Sequence, residues 1–167
     1  MGAYFYSYIV NYKPQPDVLF PELRQPDFCV RTALADLRCW VFLSGTYQPI
    51  KPVPGDLSEP LSLIPGSELS AIREALATFT VAVRDTNDGS RSILDLDHVA
   101  EARKFGVVAP LRGKVLLRLF GTTQPTREMV EMNDGFFEYA DRGKGIYIVL
   151  YKNGEPDEVL FAGYSFD

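Results

Sequence analysis

The residues that could do chemistry are few. The single histidine, His98, stands among Asp95, Asp97 and Glu101. A histidine beside a carboxylate is the arrangement of an oriented general base. The same acids also suit the start of a helix, where they cap backbone N–H groups and meet the helix dipole. No second histidine and no nucleophile stand near it in the chain, so the capping reading is preferred. Asp85-Thr86-Asn87-Asp88-Gly89 has the composition of a calcium loop but the wrong spacing. With Gly89 at position 6, position 1 falls on Arg84, and with Asp85 at position 1, position 12 falls on Leu96. Cys29 and Cys39 stand ten residues apart. On one helix that is about 15 Å, beyond disulfide reach, so two reduced thiols are expected. One histidine and two distant cysteines do not build a zinc site. Arg142-Gly143-Lys144-Gly145 lacks the strand-to-helix context of a phosphate loop and reads as a turn. No cofactor and no metal is expected.

Tyr4, Tyr6, Tyr8 and Tyr12 recur with period two. Bases stack on such rows when a basic groove runs beside them. The nearest cation is Lys13, so cross-strand packing is expected instead. The formal charge of −5 also argues against nucleic acid.

That charge is unevenly placed. Residues 120–167 hold Arg127, Arg142, Lys144 and Lys152 against Glu128, Glu131, Asp134, Glu138, Asp141, Glu155, Asp157, Glu158 and Asp167. The rest of the chain is balanced. Acids at turns, mixed with Phe136, Phe137, Tyr139 and Tyr151, resemble the rim of an interface that steers a basic partner. Turns also gather acids for solubility and to blunt sheet edges.

The elements that must position these residues follow from periodicity. Residues 3–12 alternate as a strand apolar on both faces, which predicts an interior position. Four prolines punctuate 14–26, and five more lie in 45–66. Asp27 to Phe42 reads as a helix with Asp27 as N-cap and Ser44-Gly45 as its stop. Leu69, Ile72, Leu76, Phe79 and Val83 make one stripe on a helix at 68–83, capped by Ser67 and expected to be the main apolar cover of the sheet. A shorter helix is expected at 96–105, from Asp95 to Gly106. From Lys114 on the period changes to two, which predicts strands. Asn133-Asp134-Gly135 and Asn153-Gly154 mark two hairpins, the second lengthened by Pro156.

The expected fold is therefore a single α+β domain over 1–167. A helical and proline-rich part spans 14–112, and an antiparallel meander spans 114–166. The N-terminal strand joins that sheet, and two or three helices cover one face. No segment has the length of a membrane span or a signal peptide, so a cytoplasmic protein without membrane contact is expected. The functional expectation is a non-catalytic protein-binding module, an acidic inhibitor of the immunity type that neutralises a basic partner such as a toxin. Its partner-binding residues would be Asp134, Glu138, Tyr139, Asp141, Glu155, Asp157 and Glu158. It would be a monomer or a weak homodimer. The alternative is a small α+β enzyme or ligand-binding domain, with an aromatic-lined pocket between the sheet and the helix at 68–83.

Overall fold

The computed structural model describes residues 4–13, 28–44, 53–86 and 89–165. The proline segment 14–26, the Asp27 cap, Gly45, the prolines at 49 and 52, and Asn87-Asp88 lie outside them. The elements in chain order are β1 (Phe5–Asn11), α1 (Phe28–Ser44), α2 (Ser58–Ser62), α3 (Gly66–Thr86), β2 (His98–Val99), β3 (Val107–Pro110), α4 (Gly113–Phe120), α5 (Arg127–Met132), β4 (Gly145–Lys152) and β5 (Glu155–Tyr164). The described residues also hold two 3-10 turns, Ile93–Asp95 and Gly135–Tyr139.

The fold is α+β, but the sheet is mixed. Its order is β1-β5-β4-β3-β2, with β1, β5 and β4 antiparallel and with β4, β3 and β2 parallel. The five-stranded meander is not formed, because most of 113–139 is helical. In α4 the half-buried or buried side chains are Val115, Leu116, Leu119 and Phe120, a spacing that fits one helix face rather than a pleat. Gly121 closes the helix in the left-handed region at φ 72. Thr126 caps α5 by accepting from the N–H of Met129. The expected hairpin at Asn133-Asp134-Gly135 is replaced by a side-chain turn. Asn133 Oδ1 accepts from the Gly135 N–H, and its Nδ2 donates to Leu119 C=O.

A parallel β3–β4 pair needs a crossover, and α4, α5 and the second 3-10 turn provide it. They cover the second face of the sheet, so helices lie on both faces rather than one. On one side Tyr6, Tyr8, Val10, Val108, Val159 and Phe161 pack with α1. On the other, Ile146, Ile148, Leu150, Leu160 and Ala162 pack with Leu116, Val130 and Phe136.

Four further expectations are corrected. Seven buried side chains of α1 make it the main cover, while α3 packs on α1 and on the first 3-10 turn. The stripe of α3 survives, with Leu76 buried and Leu69, Ile72, Phe79 and Val83 half-buried, but Ser67 lies inside the helix. The 96–105 helix is absent. Ser92 caps the Ile93–Asp95 turn instead, and Leu96 and Val99 are buried beside β3. Finally, among the described residues β1 has a strand on one side only, so it stands at an edge of the sheet rather than inside it.

Candidate functional site

The Asn153-Gly154 signal is realised as a two-residue turn. Lys152 pairs directly with Glu155, and both turn residues have positive φ, 53 and 81. Pro156 does not lengthen the turn. It shifts the ladder between Leu150 and Tyr151 instead. Proline has no N–H to exchange, and the Tyr151 N–H turns outward to Pro125 C=O at 2.9 Å. This bond ties the start of α5 to the hairpin and opens a groove of about 430 Å³ between them, lined by Thr126, Arg127, Glu128, Tyr151, Asp157 and Glu158 among others.

Glu128, Asp157 and Glu158 line this groove, and Glu131 and Glu155 lie on the elements beside it. Glu155 and Asp157 are exposed on β5, and the Asp157 C=O is held by the Tyr12 N–H. Arg127 donates to Glu131 and to Glu158, both at 2.7 Å. Those contacts, the bond to Glu131 first, raise the Arg127 pKa. The Thr126 hydroxyl holds the exposed Glu128 carboxyl below its usual range. Five carboxylates thus face two cations, Arg127 and Lys152, leaving this end of the hairpin acidic.

The other four expected partner residues do not join them. β5 carries the chain nine residues from Glu155 to Tyr164, roughly 30 Å along a strand. Gly143 bonds to Tyr164 C=O at that far end, which places Asp141 there. Lys144 neutralises Asp141 at 3.1 Å. Tyr139 lies between two guanidinium groups, Arg103 at 5.7 Å and Arg118 at 5.4 Å from its ring centre, and its C=O accepts from Arg103. Asp134 and Glu138 are exposed on the same 3-10 segment. Phe136, grouped with exposed aromatics in the sequence reading, is buried. The seven positions therefore split three and four, and the second group sits among cations.

Two of the three carboxylates near His98 in sequence, Asp95 and Asp97, are engaged elsewhere. Asp95 is buried and accepts from the Ser90 N–H. Asp97 meets Arg84 at 2.6 Å and Arg38 at 3.9 Å. His98 itself is exposed on β2. Among the described residues no group of three or more His, Cys, Asp or Glu converges as a metal would require. Both cysteines are reduced and buried on α1. Tyr6 and Tyr8 are buried in the core, and α1 lies between their strand and α3, where the alternative reading expects a pocket.

Sequence reasoning missed the cluster that holds α1, α3 and β2 together. Arg38 donates to Asp97 C=O and to the Thr80 hydroxyl at 2.9 and 2.8 Å. Burial lowers the Arg38 pKa, and Asp97 opposes that shift. Only the cation at an otherwise helical position hinted at it. Asp97→Asn removes the counter-charge from a mostly buried guanidinium and should cost about 1–3 kcal/mol. A lower urea midpoint at unchanged slope is the expected reading.

No family model matches the chain, and no curated protein or solved structure shows significant similarity to it.

Proposed function

We propose that the chain is a non-catalytic protein-binding module whose acidic hairpin end docks a basic protein, as a small inhibitor of the immunity type does with a toxic effector. The observation that carries this reading is that Glu128, Asp157 and Glu158 line one open groove, with Glu131 joined to it through Arg127 and Glu155 on the adjoining turn, against Arg127 and Lys152. Like charges crowded at a site repel one another and attract an opposite partner over the range of the screened field. The turn and the Pro125–Tyr151 bond present them on a rigid hairpin, which limits the ordering lost on binding.

The docking residues are narrower than the sequence suggested: Glu155, Asp157 and Glu158, with Glu128 added. Asp134, Glu138, Tyr139 and Asp141 belong to the opposite end. Affinity capture from the source cell tests this. The wild-type chain should retain a basic protein that Glu155→Lys/Asp157→Lys does not. Equal retention by both, or loss of retention in a Glu138→Lys/Asp141→Lys control only, would place the interface elsewhere.

A further inference from the structure

We infer that α4 and the turn between β2 and β3 carry a track of unneutralised cations that binds the phosphates of a single-stranded nucleic acid. This does not depend on the acidic hairpin end or on the partner proposed for it.

The sequence supplies the charge. Between Glu101 and Glu128 stand Arg103, Lys104, Arg112, Lys114, Arg118 and Arg127, and no acid. The fold then sorts them. Arg127 is neutralised by Glu131 and Glu158. Lys13, Arg38, Arg84 and Lys144, elsewhere in the chain, each meet a carboxylate too. Arg103, Lys104, Arg112, Lys114 and Arg118 are exposed and make no ion pair among the described residues.

The fold also joins these five. Arg103 and Arg118 both stand over the Tyr139 ring, 5.7 and 5.4 Å from its centre, and Arg103 donates to the Tyr139 C=O. Lys104 follows Arg103. Lys114 lies one helical turn before Arg118 on the exposed side of α4, and Arg112 is the N-cap. Two guanidinium groups parked on one ring repel each other, and no carboxylate offsets that. The ring engages the face of a guanidinium and leaves its N–H edge to an oxyanion.

Two features select a chain of phosphates as the occupant. The track exposes two large apolar side chains, Phe105 and Leu117, too few for the apolar core of a protein interface, which also disfavours lysine. Binding here rests on charge, and a nucleic acid supplies it by releasing condensed counterions. The track is roughly 20 Å long, about 12 Å of it along α4, which is the reach of about six nucleotides at ~3.4 Å each. Its cations come from two elements around a ring. A flexible strand follows such a path, whereas a duplex is stiff over about 150 base pairs.

The net charge of −5 sums over two ends of the molecule. The acidic hairpin lies at the far end of β5 from Tyr139, roughly 30 Å away, and charges are screened within about 8 Å at physiological salt. Nearer the track stand Glu101, Asp134 and Glu138, fewer than its cations, while Asp141 is paired with Lys144.

Titration of a labelled RNA of about ten uridines with the full chain, followed by fluorescence anisotropy, tests the inference. The logarithm of affinity should fall against that of salt with a slope near −3.5, from five contacts at about 0.7 each. Lys114→Gln/Arg118→Gln should make the slope shallower by about 1.4 and weaken binding about tenfold or more at low salt. Should that variant fail to fold, Lys104→Gln/Arg112→Gln reads the same change. Arg73→Gln removes an exposed cation from α3 and should leave the slope as it is. Absence of binding at low salt overturns the inference, as does a slope that neither pair of substitutions changes. An equal loss in Arg73→Gln overturns it by reducing the effect to net charge. Displacement of the RNA by polyglutamate at equal charge concentration also overturns it, and assigns the face to an acidic protein.

Discussion

Replacing Ile148 by alanine is expected to remove about 2–5 kcal/mol of folding stability, the cost of a large-to-small change at a site that cannot collapse. Ile148 is 1% exposed in the middle of β4 and packs in the cluster closed by α4, α5 and Phe136. Leu37→Ala, in the cluster on the other face, should cost a similar amount. The equality is informative, because a sheet covered on one face only would leave one of these positions near water. Against a typical total of about 5–15 kcal/mol, either change approaches global unfolding near body temperature. Urea denaturation followed by circular dichroism measures both. A loss under about 1 kcal/mol for Ile148→Ala, the scale of a surface substitution, would mean that the second helical layer does not close over the sheet.

The second large effect is loss of stability in alkali. The hydroxyls of Tyr6 and Tyr8 are buried beneath α1, near Asp95. Burial first, and the Asp95 charge after it, lift Tyr6 well above its ordinary value. Burial pushes Tyr8 from 10.0 to about 12. An unfolded tyrosine gives up its proton near pH 10, while the folded chain keeps it. The unfolded state therefore binds fewer protons above pH 10, and stability falls as pH rises. The contribution is fully present below pH 10 and is lost for Tyr8 by about pH 12, at about 1.4 kcal/mol per pH unit. Tyr6 adds to the slope. Denaturation midpoints across that window, with phenolate absorbance as the second readout, should fall together. Tyr6→Phe/Tyr8→Phe should flatten the decline. A wild-type midpoint that stays level through the window would show these hydroxyls to be reached by water.

Much of the fold was legible from residue spacing. The stripe at Leu69, Ile72, Leu76, Phe79 and Val83 marked α3, the apolar spacing from Phe28 to Val41 marked α1, and Asn153-Gly154 marked the hairpin. These are long elements or a turn with strict backbone demands, where local and global preferences agree. The failures cluster in 96–139. The helices α4 and α5 have only eight and six residues, too short for their period to stand clear of a strand's. Their caps, Gly121 and Thr126, were the usable signal. Leu96 to Phe105 carried helix-like spacing, yet burial of Leu96 and Val99 against neighbouring strands decided its path. β1 misled for a different reason: its two apolar faces are real, but the third requirement of an interior strand, a neighbour on each edge, cannot be read from one strand.

The acidic site was half legible. Counting charge along the chain located the excess in 120–167, but position along a chain is not position in space. Asp141 and Glu155 are close in sequence, yet β4 and β5 put them at opposite ends of a hairpin. Glu128 and Glu131 joined the site through Arg127 and the Tyr151–Pro125 bond. That bond depends on Pro156 displacing the ladder, a consequence read in the sequence only as a longer turn.

The most direct test is the association rate of the captured basic partner with the purified chain, measured against ionic strength for wild type and for Glu155→Lys/Asp157→Lys. An electrostatically steered encounter is fast at low salt and slows steeply as salt is added. The account predicts that behaviour for wild type, with a rate about tenfold or more lower for the double variant at low salt and a dissociation rate that changes little. A wild-type rate that ignores both salt and the charge reversal would contradict it.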